Sequence, residues 1–387
     1  MHTIDVTLPS RRYEIHIQPG LLHGLGPIVA SLCPHARAML AVDAKIADTH
    51  GRTARQSLEA AGFGIRRHEI VAEEGRKTLE AVRGCYDAML AARLDRRSPL
   101  VALGGGIVGD VAGFAAATYL RGVPLIHVPS TLLAMVDASI GGKTGVNFPL
   151  PASSGGPTRL GKNLVGAFWQ PHAVLIDPEV LSTLDPRQFR CGLAESVKHG
   201  ILGDAELFAF IESSREAILG KNIEVVTELI ARSAQVKVEI VQEDEREAGR
   251  RALLNLGHTF AHAIEPIGSL ALHHGEAVAI GLCAAADCAE RAGRLSGEMP
   301  DRIRGLLESL GLPIRLPQAV AIPALIHAMG FDKKVERDRR RLILPTGLGR
   351  AEIVEDVPPE VVNAAWRAVG AGDGSTSSGG EEAAAPP

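Results

Sequence analysis

A chain of 387 residues with a formal net charge of −4 is long enough for two domains and lacks the basic surplus that suits nucleic acid or an anionic membrane. Hydrophobic residues make up 46% of it and aromatics only 4%, so small aliphatic side chains must fill the core. No apolar run approaches the roughly 20 residues of a membrane helix, the opening MHTIDVTLPSRRYEI has no signal-peptide centre, and five scattered cysteines without CxxC spacing fit reduced thiols in a cytoplasm.

Residues 3–8 and 13–18 alternate in polarity about Pro9 and Ser10 and predict two short strands. A buried-strand run over 37–42 ends in Asp43, which either faces a ligand at the carboxyl end of a sheet or caps the next turn. A helix follows over 51–62 and a strand over 65–71. The polar loop from Glu73 to Thr78 then leads into a helix reaching Leu94, with Thr78 as its cap. The apolar strand Leu100 to Leu103 runs straight into Gly104-Gly105-Gly106-Ile107-Val108-Gly109-Asp110 and an alanine-rich helix. Gly104, Gly106 and Gly109 meet the GxGxxG pattern in the strand–turn–helix setting where a pyrophosphate can approach the backbone and a helix N-terminus.

The strand Leu125 to Val128 ends in Pro129-Ser130-Thr131. Beyond it, Asp137, Lys143 and Asn147 are polar positions spaced through apolar and glycine residues, a pattern expected of groups facing a cavity. Gly161-Lys162-Asn163 is a second lysine-and-amide group suited to a phosphate or a hydroxyl-rich ligand. Between them LPASSGGPTRL, Leu150 to Leu160, reads as a surface loop. The strand over 173–176 closes at Asp177-Pro178, where the domain boundary is expected. Residues 187–202, 204–219, 222–243, 252–265, 275–293 and 300–310 carry helical periodicity, and 341–354 reads as a hairpin. The expected organisation is an α/β nucleotide-binding domain over 1–178, a helical domain over 179–369 and a disordered tail over 370–387.

The helical half concentrates the chemistry. Glu195, Lys198 and His199 share one helical face, and so do His258 and His262, while His274 precedes Gly275-Glu276. Histidines and a carboxylate on different helices suit a catalytic divalent metal. Spacing alone favours His258 and His262 as the ligand pair. Arg121, Lys143, Lys162, Lys198, Lys237, Arg251 and Lys333-Lys334 supply cations for a ligand with more than one negative group. His273 receives no role.

Six ordered stretches, GGGIVGDVAGFAAATYLRG, VPSTLLAMVDASIGGKTGVN, GKNLVGAF, GLAESVKHG, LLNLGHTFAHAIE and HHGEAVAIG, resemble the 3-dehydroquinate synthases, a branch of the sugar-phosphate cyclases. The resemblance spans residues 1–367. It implies a Rossmann-like NAD-binding α/β domain, an α-helical metal-binding domain, and a homodimer.

Carried over by motif, the resemblance makes Glu195, His258 and His274 the ligands of Zn2+ or Co2+ and moves His262 to the substrate. It assigns NAD to Asp43, Glu74, Lys77, Gly105, Gly106, Ile107, Val108, Gly109, Asp110, Ser130, Thr131, Lys143, Lys162, Val180, Leu181, Ser182 and Thr183. It assigns the sugar phosphate to Asp137, Lys143, Asn163, Lys198, Lys237, Arg251, Asn255, His262 and one of Lys333 or Lys334, with Arg121 reaching in from a partner subunit. Three departures stand out: the inserted Leu150–Leu160 stretch, Ser130 where the family commonly has Thr, and Gln188 where it frequently has Glu.

The implied reaction converts 3-deoxy-D-arabino-heptulosonate 7-phosphate to 3-dehydroquinate and phosphate in the shikimate pathway of aromatic amino acid biosynthesis. It runs by transient NAD oxidation, phosphate elimination, re-reduction and aldol cyclisation. The competing readings are another sugar-phosphate cyclase of secondary metabolism and a glycerol dehydrogenase-like oxidoreductase.

Overall fold

The computed structural model describes residues 1–150, 160–330 and 341–373. The chain divides into two compact units, Met1–Phe189 with Lys221–Arg246, and Arg190–Gly220 with the chain from Glu247 onward.

The first unit contains β1 (His2–Thr7), β2 (Arg12–Ile17), α1 (Leu25–Leu32), β3 (Arg37–Asp43), α2 (His50–Ala60), β4 (Gly64–Ile70), α3 (Leu79–Ala91), β5 (Leu100–Gly104), α4 (Gly106–Thr118), β6 (Leu125–Pro129), β7 (Lys143–Pro149), β8 (Leu160–Phe168) and β9 (Ala173–Ile176). Seven strands form one sheet in the order β1-β2-β9-β6-β5-β3-β4, parallel except for β1 against β2. The fully apolar sequences LVALG and AVLI suit interior strands covered on both faces, and β5 and β9 are buried throughout. Val82 and Met89 of α3 and Val108 and Val111 of α4 join Met39, Leu100 and Ala102 in one core. Strand order reverses between β3 and β5, so the chain leaves Asp43 and Gly104 at a topological switch point, where open α/β sheets take their ligands. Thr78 stands at the N-cap position of α3, but its side chain makes no capping hydrogen bond there.

The stretch expected only as polar groups around a cavity folds as a separate antiparallel hairpin of β7 and β8. Pro149 pairs with Leu160, and residues 151–159 of the inserted stretch lie outside those described.

Three helices follow: α5 (Pro186–Leu202), α6 (Ala205–Leu219) and α7 (Ile223–Glu243). Of these, α7 groups with the sheet unit and packs against β1 and the π-helical turn Ala134–Ala138.

In the second unit come α8 (His258–Ile264), α9 (His274–Arg291), α10 (Met299–Ser309), α11 (Ile322–Gly330), the hairpin β10 (Arg341–Gly347) and β11 (Arg350–Glu355), and α12 (Pro359–Ala368). The alanine-rich α9 is buried from Ala277 to Ala289, as a helix apolar on every side must be. The single helix expected over 252–265 is instead a 3-10 turn, Arg250–Asn255, and α8, parted at Gly257 with φ +77°. Gly372, expected in a disordered tail, donates its N–H to Val320 O and bridges Ala321; residues 374–387 lie outside those described.

Candidate functional site

In the helical unit, three helices bring one side chain each to a common point. Glu195 lies in the middle of α5 and is fully buried, while His258 and His274 are the first residues of α8 and α9. Two glycines make the approach possible. A Cβ on Gly275 would stand 2.2 Å from Cys191 O, so only glycine lets the start of α9 lie on α5 one turn before Glu195. A Cβ on Gly281 would stand 2.2 Å from Gly257 O, which lets α9 seat the entry to α8.

One ligand atom from each of Glu195, His258 and His274 lies within 4.8 Å of the other two. Glu195 Oε1 is 3.6 Å from His258 Nε2 and 3.4 Å from His274 Nε2, whereas Oε2 is 2.5 Å from the ammonium of buried Lys198. The two carboxylate oxygens therefore have separate tasks, one toward the histidines and one held by a cation. His258 Nδ1 lies 3.3 Å from Leu256 O, a contact that puts its proton on Nδ1 and leaves the Nε2 lone pair for a ligand. His274 Nδ1 lies 3.4 Å from Glu265 Oε1, a carboxylate–histidine pair of the kind that orients metal-bound imidazoles.

The donor set thus fits a divalent ion: two imidazole nitrogens and one carboxylate oxygen, which is the three-ligand pattern that keeps a coordination position open. Burial drives His258 down to about 3, with Glu195 opposing it. Burial also works to lower His274, but its hydrogen bonds to Glu195 and Glu265 outweigh this and push it up to about 10. An ion arriving at this cluster therefore meets one neutral imidazole and one that must first release a proton.

His262, favoured by spacing alone, is outside this cluster. It is exposed, with its ring edge-on to His258 at a centroid distance of 5.4 Å. His273 does have a role: it is the N-cap residue of α9, and its N–H donates to Glu276 Oε2 at 2.8 Å, as in a capping box. Arg251 is buried at 1% exposure, and Asn255 donates to Glu247 Oε1 and Ala252 O. Glu265 carried no signal beyond its place among the histidines.

In the sheet unit, Gly105 caps α4, and Gly106 begins it. A Cβ on Gly104 would stand 2.6 Å from Val108 Cβ, so the first glycine of the turn is fixed by packing as well as by any ligand. Ser130 N–H donates to Gly104 O, and Thr131 Oγ1 accepts from Ala134 N–H. Buried Lys77 bonds both Asp110 Oδ2 and Asn163 Oδ1 at 2.5 Å. Lys237 of α7 bonds both the carbonyl and the carboxylate of Asp137. Asp43 caps the 3-10 turn Ala44–Ile46 by accepting from Lys45 N–H. Thr183 Oγ1 lies 2.7 Å from His50 Nε2, and Ser182 Oγ donates to Glu179 O, while the neighbouring Val180 and Leu181 are buried. Lys143 and Lys162 are exposed on β7 and β8. Arg121 is exposed in a turn where Leu120 and Arg121 both have positive φ, 49° and 66°. Lys333 and Lys334 lie outside the described residues.

With a switch-point glycine turn in one unit and a Glu, His, His cluster in the other, the chain shares the fold of solved sugar-phosphate cyclases. The structure is similar to 2-epi-5-epi-valiolone synthase from Streptomyces hygroscopicus, solved with NAD+ and Zn2+ bound, with TM-score 0.83 and 30% identity over 94% of this chain and 98% of that one. It is equally similar to 2-deoxy-scyllo-inosose synthase complexed with carbaglucose-6-phosphate, NAD+ and Co2+, with TM-score 0.83 and 26% identity over 95% and 99% of the two chains. The sequence profiles of the 3-dehydroquinate synthase N-terminal and C-terminal families match residues 67–191 and 192–335. The 3-dehydroquinate synthase of Microcystis aeruginosa is 46% identical over 93% of this chain and 96% of its own length. The chain belongs to the 3-dehydroquinate synthase family.

Proposed function

We propose that the protein converts 3-deoxy-D-arabino-heptulosonate 7-phosphate to 3-dehydroquinate and phosphate, with NAD and a divalent ion, Zn2+ or Co2+. The observation that carries this is the Glu195–His258–His274 cluster in a chain 46% identical to a 3-dehydroquinate synthase along 93% of its length. When bound, NAD supplies the hydride acceptor and donor, and the ion supplies a Lewis acid.

The chain's own share is orientation and electrostatics. Glu195, His258 and His274 would hold the ion, Lys198 fixes one oxygen of Glu195, and Glu265 fixes the ring of His274. The turn Gly104–Gly109 and the N-terminus of α4 take the pyrophosphate. The substrate's anionic groups fall to cations and amides of each unit: Lys143, Asn163 and Lys237 in the sheet unit, Arg251 and His262 in the helical unit. The acid and base groups of the substrate itself complete the proton transfers, since its phosphate carries a basic oxygen beside the bond that breaks.

The same reading takes the protein as a cytoplasmic homodimer. The described structure holds five free, buried cysteines and no helix long and apolar enough to cross a membrane. The exposed, left-handed turn at Leu120–Arg121 is a suitable arm for a partner subunit's phosphate site.

The test is to supply the heptulosonate phosphate with a catalytic amount of NAD and follow phosphate release. Stoichiometric release with no net NADH supports the reading. No release overturns it, and conversion of the whole NAD pool to NADH without phosphate release overturns it in favour of a net dehydrogenase.

A further inference from the structure

The β7–β8 hairpin carries Asn147, a residue for which the reaction just described has no task. Asn147 is 1% exposed, and its N–H and both polar atoms of its side chain are engaged. Its N–H donates to Lys77 O at 2.8 Å. Its Nδ2 donates to Glu74 O at 3.0 Å and to Glu74 Oε1 at 2.8 Å. Its Oδ1 accepts from Asn163 N–H at 2.9 Å. An asparagine serving β7 alone would not need partners 73 positions away on one side and 16 on the other.

The groups it joins belong to both ligands of the proposed reaction. Glu74 and Lys77 fall to the nucleotide, and Asn163 to the sugar phosphate. Asn163 sits at φ +53°, in the left-handed region that an L-residue enters at a cost of roughly 1–2 kcal/mol, least for Asn and Asp. Two bonds hold it there, one from Asn147 to its backbone and one from Lys77 to its side chain, and Lys77 continues the chain of bonds to Asp110 near the start of α4. All five residues lie in the sheet unit.

We propose that Asn147 is a positioning residue that couples dinucleotide binding to phosphate binding. Ordering the Glu74–Lys77 turn on the nucleotide sets Asn163 for the phosphate, and phosphate on Asn163 holds the turn for the nucleotide. The inference rests on the reading of function above. Coupling of this kind is reciprocal, so either ligand reports it.

The experiment measures the NAD dissociation constant of the full-length, zinc-loaded protein by calorimetry, with and without saturating inorganic phosphate. The wild type is expected to bind NAD several-fold more tightly with phosphate present. Asn147→Asp keeps the acceptor for Asn163 but turns a carboxylate oxygen toward both oxygens of Glu74. It should weaken NAD binding about tenfold and bring the phosphate effect to one. Adding Glu74→Gln to Asn147→Asp returns a donor to that contact and should recover part of the loss, judged against Glu74→Gln alone, which a bulk structural defect would not allow. Should Asn147→Asp fail to fold, Asn147→Ser is read in the same way. Retention of the wild-type phosphate effect in a folded Asn147 variant overturns the proposal. A wild type that binds NAD without any phosphate effect overturns it equally, and a wild type that binds no NAD overturns the catalytic reading beneath it.

Discussion

His274 Nδ1 lies 3.4 Å from Glu265 Oε1, while the same ring's Nε2 lies 3.4 Å from Glu195 Oε1. The imidazole is thus held between a ligand carboxylate and a supporting one. Glu265→Gln keeps the shape and removes the charge that orients the ring and raises its basicity. Zinc affinity should fall about 10–100-fold, the usual result of removing a carboxylate behind a metal-bound histidine. Competition against a chelator of known affinity reads it directly, and an unchanged zinc affinity would remove Glu265 from the metal centre.

The two histidines of α8 separate by function. His258→Ala deletes a nitrogen of the three-residue cluster and should abolish stoichiometric zinc retention after dialysis. His262→Ala leaves that cluster intact, so it should retain zinc and raise KM for the sugar phosphate roughly tenfold through a lost charge-assisted hydrogen bond. Metal analysis of the two purified variants decides between this division and the pairing that helical spacing alone suggests; zinc lost from the His262 variant would restore the pairing.

Gly275 ties the metal centre to helix packing. An alanine there places its Cβ 2.2 Å from Cys191 O, and backbone cannot yield as a flexible side chain would. Gly275→Ala should destabilise the protein by about 1–3 kcal/mol, as overpacked cores do. It should also lower zinc affinity, because α9 moves off α5 and carries His274 with it. Normal zinc affinity in a folded Gly275→Ala protein would contradict this account of how the ligands converge.

Much of this was legible in the sequence, and what was not has physical causes. The strands LVALG and AVLI and the helices over 187–202 and 275–293 announce themselves by apolar runs and periodicity, and the structure places them within one or two residues of the reading. The β7–β8 hairpin was hidden because Gly145, Gly161 and Gly166 break the alternation that marks strands. The break at Gly257 was hidden because Arg251 to Glu265 keeps a helical apolar pattern, while the kink depends on packing against α9. Grouping α7 with the sheet was equally out of reach, since an amphipathic helix does not encode which surface it covers. Glu195, His258 and His274 came from motif resemblance, and spacing by itself pointed to His262. Glu265, His50 and the bonds of Asn147 depend on contacts between segments far apart in the chain, which no local pattern records.

His127 gives the protein a pH dependence that owes nothing to the metal centre. It lies on β6 at 5% exposure and lines a small cavity with Gly104, Gly105, Gly106 and Gly109. Burial drives its imidazole down from 6.5 to about 4. Between those values the unfolded chain binds a proton there and the folded chain does not, so stability rises with pH across that window. The contribution is fully present above pH 6.5 and is lost as the pH falls toward 4. At pH 5 the loss attributable to His127 should be about 2 kcal/mol relative to pH 7.5. His127→Gln carries no titrating group, so its denaturation midpoint should change less than that of the wild type between the two pH values. Parallel pH dependence of the two proteins would show that His127 is not held neutral by its surroundings.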